Sequence, residues 1–241
     1  MLMKKAITYL FSLLLIASLA FLYSFSSVKN LSKKIKKINI EFTEGNNDFL
    51  TQEMVNKLLI QNRGALKNQP KSVIDLQELE QTVLLNPYIE KATVFYTIDG
   101  VLKTEVKQRK PIARINSIDS SYYVDRHGFK IPLSSNYSAR VILITGDIDN
   151  ENLQEFTQFV NVISADNFLK KEIIGIHKTQ KNEFILSVRS GQYKIEFGSL
   201  EKTKVKFKKL KAFYNKAFVD KTIDQYKTIN LKYHNQVVCG K

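Results

Sequence analysis

The sequence has 241 residues and a formal net charge of +14, from 37 Lys+Arg against 23 Asp+Glu. Hydrophobic residues make up 44% of it, which excludes a chain that is disordered throughout. A single cysteine, Cys239, excludes an internal disulfide framework and a cysteine-rich zinc site. The positive charge leaves nucleic acid, anionic lipid or an acidic protein as candidate partners, and the positions of the charges must decide among them.

An uncharged apolar run over residues 6–28 predicts a transmembrane helix, with residues 1–5 as a short tail. As a helix the run would extend about 34 Å, enough for a bilayer core of about 30 Å. A cleaved signal peptide is the alternative, since Ser18-Leu19-Ala20 resembles a cleavage site. The apolar run continues past Ala20 and favours an uncleaved anchor, marked by Ala6, Leu14, Leu19 and Val28.

Residues 29–37 form a basic linker after the predicted anchor, with five lysines and no aromatic residue. Nucleic-acid sites interleave aromatic and basic residues, so this cluster favours contact with lipid headgroups and argues against nucleic-acid binding. Counting lysines on the two sides of the anchor would place the following domains in the cytoplasm. Because large domains cross the membrane largely regardless of charge, orientation stays open from charge alone.

Residues 38–111 predict a unit with the order strand, helix, helix, strand, strand. Alternation over 38–42 indicates the first strand, and Thr51 and Asp75 are suitable N-caps for two short helices. Asp99-Gly100 lies between two alternating runs, which is a strong hairpin signal because a type I′ turn requires positive φ.

Residues 112–241 predict a second, β-rich unit with two helices, so the fold class is α+β. Apolar spacing indicates helices over 153–163 and 202–218, and strand runs occupy 141–145, 173–177, 184–188 and 193–197. The helix over 202–218 carries lysines and no acid, so it is either a solvated surface or a face for an acidic partner. The chain then alternates through Ile229, Leu231 and Tyr233 and continues to Val237-Val238.

The sequence contains no motif typical of a catalytic site, and we expect neither an enzyme nor a cofactor or small-molecule substrate. The carboxylate pairs Asp147/Asp149 and Glu78/Glu80 are expected to be solvated. His127 lies in a predicted turn, and nothing near Cys239 provides a base for a nucleophilic thiol.

The terminal strand is the segment that most directly predicts a way of binding a partner protein. A final strand at a sheet edge leaves backbone donors and acceptors unpaired, and these can recruit a partner segment as an added strand. Tyr233 would supply an aromatic anchor. The alternative is an inert edge, protected by Lys227 and Lys232.

Several short motifs occur in a characteristic order along the chain. They are Ile38-Asn39-Ile40-Glu41-Phe42 before Gly45, Leu50-Thr51, Ile74-Asp75-Leu76 with Leu79, Asn86-Pro87-Tyr88-Ile89 with Ala92 and Val94, Val106-Lys107-Gln108-Arg109-Lys110-Pro111-Ile112-Ala113, Tyr123-Val124-Asp125 with Gly128, and Asn230-Leu231-Lys232-Tyr233. Over nearly the whole chain this series resembles the FtsQ/DivIB family of bacterial division proteins. The resemblance implies a membrane anchor, a POTRA domain over 38–111 and a β domain over 112–241.

The resemblance also implies a function and a topology. The N-terminus would be cytoplasmic and both domains extracytoplasmic, in the cell (inner) membrane at the division septum. The protein would be a scaffold that binds small coiled-coil division proteins of the FtsB/DivIC and FtsL type and helps to control septal peptidoglycan synthesis. Its expected partner-binding residues are Ile229, Leu231, Lys232, Tyr233, Asn235, Val237 and Val238.

This sequence departs from the family pattern at three places. Its tail is very short, Asn230 stands where an acidic residue is usual, and Gly240-Lys241 stands where an aromatic often follows the last strand. Two other functions are open. One is a POTRA-type chaperone or secretion module of the envelope; the other is a membrane-bound cell-wall enzyme using Asp125 and His127.

Overall fold

The computed structural model describes residues 2–45, 48–61, 66–117, 120–146, 148 and 153–241. Part of the first predicted turn (46–47), the predicted end of the first helix (62–64) and the Asp147/Asp149 pair lie outside these ranges. The backbone divides into two units, residues 1–108 and 109–241.

The N-terminal helix, α1, spans Leu2–Leu31 and includes the whole predicted anchor. Its segment Tyr9–Asn30 is long and apolar enough to cross a membrane. Leu14, Leu19 and Val28 each expose more than half of their surface, 64%, 57% and 65% respectively. Since such exposure of apolar side chains is unfavourable in water, the helix fits a single-pass membrane protein.

The rest of the first unit has the predicted order strand, helix, helix, strand, strand. Its elements are β1 (Lys37–Phe42), α2 (Gln52–Ile60), α3 (Leu76–Leu84), β2 (Ile89–Tyr96) and β3 (Val101–Gln108). The sheet order is β1-β3-β2, with β1 parallel and β2 antiparallel to the central β3. The predicted hairpin is therefore confirmed as β2–β3, but its turn is not the expected type I′, because Gly100 has a positive φ (+84°) and Asp99 does not.

Both predicted helix caps are present in the first unit. Thr51 accepts a hydrogen bond from the Met54 amide at 3.3 Å. Asp75 accepts from the Gln77 and Glu78 amides at 2.9 and 3.1 Å. Side-chain acceptors at this position satisfy amides that have no partner within the helix, so each cap defines where its helix begins.

In its described residues, the second unit has a nine-stranded sheet and three α-helices. Its elements are β4 (Pro111–Asn116), β5 (Ser121–Asp125), β6 (Lys130–Pro132), β7 (Ile142–Gly146), α4 (Leu153–Ser164), α5 (Asn167–Glu172), β8 (Ile173–Lys178), β9 (Phe184–Val188), β10 (Lys194–Gly198), α6 (Thr203–Val219), β11 (Thr228–Asn230) and β12 (Val238–Gly240). The strand order is β12-β11-β10-β9-β8-β7-β4-β5-β6. The strands β4, β7 and β8 run parallel to one another, as do β10 and β11.

Helices α4 and α6 pack together against one face of this sheet. The Phe159 ring lies 5.0 Å from that of Phe197 on β10 and 5.7 Å from that of Phe207 on α6. The strands alternate accordingly: Ile195 and Ile229 are fully buried, whereas Lys194 is exposed. The aromatic core explains why the unit forms despite its large basic excess.

Two details differ from the sequence-based expectation. Helix α5 is a third helix in the second unit, where two were predicted, because its six residues are too few to show helical periodicity. Its N-cap, Asp166, accepts from the Phe168 and Leu169 amides, both at 3.0 Å. The predicted strand through Tyr233 is also wrong, since β11 ends at Asn230.

Candidate partner-binding edge

Strand β12 lies at one edge of the nine-stranded sheet. It pairs with β11 in an antiparallel register, with Val238 opposite Asn230 and Cys239 opposite Ile229. In the part of the chain that the structure describes, no strand pairs with its other side. An edge of this kind presents backbone donors and acceptors to which an extended segment can add as another strand.

Strand β11 is fastened to the core by two of the predicted contact residues. Ile229 and Leu231 are both 0% exposed. The Leu231 amide donates to the Glu196 carbonyl of β10 at 2.9 Å. Their side chains therefore cannot contact a partner. The alternation that predicted a binding strand instead places both side chains in the core, where they hold the edge strand in position.

Asn230 ends β11 and redirects the chain. Its Oδ1 accepts from the Lys232 amide at 2.9 Å, and its Nδ2 donates to Glu196 at 2.6 Å. An asparagine side chain that bonds the backbone two residues ahead forms a turn, which competes with a continuing strand. This explains why Tyr233 lies in a loop between β11 and β12.

The Lys232 ammonium forms an ion pair with Glu183 at 2.8 Å. This hydrogen bond raises the pKa of Lys232 and lowers the pKa of Glu183, so the pair stays charged at neutral pH. Surface ion pairs stabilise a fold only slightly, and we assign this one to orienting Lys232.

Lys209 of α6 holds the loop that carries Tyr233. Its ammonium donates to the backbone carbonyls of Leu231 (3.4 Å) and Tyr233. The Tyr233 side chain remains 51% exposed. The loop backbone is thus tied to a core helix while the aromatic ring points to solvent, an arrangement suited to an anchor for a partner.

Sequence reasoning missed Lys209 because it grouped all lysines of α6 as one solvated or acid-facing surface. Lys206 is only 9% exposed and donates to the Ser199 carbonyl at 2.7 Å. Burial lowers the pKa of Lys206. Both lysines directly precede the buried Phe207 and Leu210, and that position on the helix was the available signal that they border the core.

A depression of about 240 Å³ separates the start of α6 from this loop. Its ten lining residues include four lysines, one acid and the exposed aromatic, namely Lys202, Lys206, Lys209, Lys232, Glu201 and Tyr233, together with His234. The remaining predicted partner-binding residues follow this loop in the chain. Asn235 is exposed, Val237 is half-buried against the core and Val238 is 40% exposed. Burial raises the pKa of Cys239, which opposes thiolate formation.

The acidic residues considered for catalysis either make hydrogen bonds within the fold or are exposed. Asp125 is 2% exposed; it accepts from the His127 and Phe129 amides at 2.9 Å each and from Arg109 at 2.8 Å. Glu80 accepts from the Val94 amide at 3.2 Å, while Glu78 is exposed on α3. Within the described ranges, no three or more His, Cys, Asp or Glu residues cluster as a metal site.

Within the described residues, one helix of membrane-spanning length precedes a β-α-α-β-β unit and a nine-stranded α+β unit, an arrangement that fits a single-pass membrane protein with two folded units. The family described as FtsQ/DivIB, C-terminal related, matches residues 110–240. A POTRA-like domain matches residues 31–107. The chain belongs to the FtsQ/DivIB family. These two domains support a role as a cell-division scaffold, and their families are generally non-enzymatic.

Solved structures were also compared with the chain. One match is POTRA1-2 of the periplasmic domain of Omp85 from Anabaena, with 15% sequence identity and a TM-score of 0.24. The match covers 35% of this chain and 52% of that chain. A similarity this low supports no conclusion about function. The comparison with curated proteins found no match.

Proposed function

We propose that the protein is a non-enzymatic, single-pass scaffold of the bacterial division machinery. Its edge strand β12 recruits small coiled-coil division proteins, of the FtsB/DivIC and FtsL type, as an added strand. Through this complex it helps to control septal peptidoglycan synthesis. The observation that carries the proposal is the unpaired side of β12, next to Tyr233, which is exposed on a loop that Lys209 holds.

The proposed organisation has a cytoplasmic tail (1–5), an anchor (6–28), a basic linker (29–37), a POTRA domain (38–111) and a β domain (112–241). The family matches and the division of the backbone between Gln108 and Arg109 support this order. The linker lysines would meet lipid headgroups on the outer side of the cell membrane. The revised partner-contact set is the exposed part of the edge: Lys232, Tyr233, Asn235 and Val238.

A fluorescent fusion is expected to form a ring at mid-cell before constriction begins, because a divisome scaffold must be present at the septum. The measurement is live-cell imaging of the full chain in dividing cells. Depleting the protein should also block septation and produce filaments. A uniform envelope signal with normal septation would contradict the proposal and favour the chaperone or secretion alternative.

Tyr233→Ala is expected to weaken capture of the coiled-coil partners about tenfold, since removing an exposed aromatic anchor typically costs an interface more than 1 kcal/mol. Stability should change little, because the ring is half-exposed. The measurement is co-purification of the full chain with its partners from detergent-solubilised membranes.

Tyr137→Ala is the matched control for Tyr233→Ala. Tyr137 is 37% exposed and lies between β6 and β7, whereas β12 is at the opposite edge of the sheet from β6. Equal loss of capture in both variants would show that the effect is not local to the β12 edge.

A further inference from the structure

The segment between α1 and β1 is built into the first unit. Ile35 is 0% exposed and belongs to the apolar core of this unit. Its amide donates to the Gln69 carbonyl at 3.0 Å, and its carbonyl accepts from the Asn68 amide at 2.9 Å. The Lys33 carbonyl accepts from the Lys71 amide at 3.0 Å. The predicted basic linker is therefore partly incorporated into the folded unit and is not a free tether.

The paired segment begins almost directly at the end of the apolar helix. Only Ser32 separates the last helical residue, Leu31, from Lys33. Since consecutive Cα atoms are about 3.8 Å apart, Lys33 lies within about 8 Å of the helix end. The 3₁₀ turn Lys71–Val73, to which Lys33 is bonded, also contacts α1. The first unit is therefore attached closely to the helix that fits a membrane anchor.

The turn of the β2–β3 hairpin lies at the same end of the unit. Strands β1 and β3 run parallel and begin at Lys37 and Val101, which are paired. Just before them, the Lys36 amide donates to the Gly100 carbonyl at 3.0 Å. We call this end of the unit the anchor end, and it consists of residues 33–36, 71–73 and 97–100.

Two apolar side chains of the anchor end are exposed. Ile98 in the hairpin turn is 94% exposed, and Val73 in the 3₁₀ turn is 64% exposed. Single exposed apolar residues are common on protein surfaces, and Leu85 is another, at 83%. Leu85 lies at the opposite end of the sheet, since β2 begins at Ile89, which pairs with the last residue of β3. Ile98 and Val73 differ from Leu85 in lying beside a helix of membrane-spanning length.

The charge of the anchor end is positive. It contains four lysines, of which Lys33, Lys34 and Lys36 are exposed and Lys71 is half-buried, and one acid, Asp99. Basic side chains close to a bilayer are attracted to anionic headgroups, and the attraction falls off within a Debye length. Exposed apolar side chains surrounded by lysines are the combination that binds a membrane interface.

We infer that the anchor end docks on the bilayer, with Ile98 and Val73 at the boundary between headgroups and acyl chains and the lysines on anionic headgroups. Docking in this form depends on the proposed role of α1 as the membrane anchor. Because Ile35 is buried in the core and the chain between it and α1 is short, docking fixes the orientation of the first unit relative to the membrane.

Tryptophan fluorescence measures the docking, because the sequence contains no tryptophan. The full chain carrying Ile98→Trp is reconstituted in vesicles of phosphatidylcholine and phosphatidylglycerol. Lipids brominated in the acyl chains should quench at least about half of its emission, since interfacial side chains lie about 5–10 Å deep at the acyl boundary. Leu85→Trp is the matched control at the opposite end of the unit, and its emission should remain unquenched.

A second pair of variants separates docking from mere closeness to the anchor. With Val73→Trp as the reporter, adding Ile98→Asp should reduce quenching at least about twofold, because an apolar contact with the interface is lost. Adding Leu85→Asp instead should leave the quenching unchanged. Equal quenching with either added substitution would overturn the inference, since the first unit would then be near the bilayer without docking through its own side chains.

Flotation of the vesicles separates failure of docking from failure of the anchor. A chain that does not float with the vesicles would overturn both. A chain that floats, but in which Ile98→Trp is quenched no more than Leu85→Trp, would overturn docking and leave the anchor and the scaffold role intact. In vesicles of phosphatidylcholine alone, quenching of Ile98→Trp should fall about twofold, because the lysines lose their anionic partners. Unchanged quenching there would overturn the contact of the lysines with anionic headgroups.

Discussion

Replacing Val237 with proline is expected to abolish capture of the coiled-coil partners while both units remain folded. The Val237 amide precedes β12 and donates to no backbone acceptor in the described part of the chain. Proline there removes a donor that the fold does not use but that an added strand would need. Because proline cannot donate to a strand ladder, we expect binding to weaken by about two orders of magnitude.

Val237→Ala is the matched control, because it shortens the same half-buried side chain but keeps the N–H. It should retain most of the capture. Co-purification of the partners with each full-length variant measures the difference, and far-ultraviolet circular dichroism confirms that the fold persists. If the proline variant captures partners as well as the alanine variant, recruitment does not use the backbone of this edge.

Asp125→Ala is expected to destabilise the second unit by about 3–5 kcal/mol, as for other broken buried ion pairs. The substitution removes three hydrogen-bond acceptor contacts and leaves the Arg109 guanidinium without its carboxylate. That guanidinium also lies 3.7 Å from the centre of the Phe129 ring, so it is held beside the β5–β6 turn. The loss should therefore open this turn and the neighbouring β4–β5 pair.

Chemical unfolding of the full chain in detergent measures the effect. Asp125→Asn should be intermediate, because its amide oxygen can still accept from the turn amides while the charge is lost. Asp125→Ala stability within about 0.5 kcal/mol of the parent protein would contradict a structural role.

The same geometry sharpens the test of the cell-wall enzyme alternative. Loss of complementation by Asp125→Ala would follow from misfolding alone, so it could not identify a catalytic acid. His127 is exposed in the turn and accepts from Arg126 Nε at 3.0 Å. His127→Ala should support division as well as the parent protein; a loss of septation with normal stability would favour the enzyme.

Local chemistry explains which parts of the fold were predictable. The Asp99-Gly100 turn, the Thr51 and Asp75 caps and the apolar spacing of α4 each depend on residues close together in sequence. Such signals keep their meaning in any tertiary context, so the β-α-α-β-β unit was confirmed and the N-terminal helix fits a membrane anchor. Helix α5 was missed because one turn and a half of helix has too few apolar positions to show a period.

The candidate binding edge depended on contacts that are distant in sequence. Ile229, Leu231 and Tyr233 have the same alternation, yet two are buried and one is half-exposed, because Asn230 turns the chain and Lys209 fastens the loop from another element. Strand β10 precedes α6 in the chain and β11 follows it. The pairing of β11 with β10 decides which strand is left at the edge of the sheet.

The sequence by itself therefore determined the long apolar N-terminal helix, the two-unit α+β organisation and the family, since these depend on hydrophobic runs, turn chemistry and an ordered series of motifs. Only the tertiary structure decided which residues can meet a partner and which lysines have a specific role. Burial and pairing are properties of neighbours in space. Lys209 and Lys232 are the same residue type, and only their surroundings separate a lysine that holds a loop from a lysine in a surface ion pair.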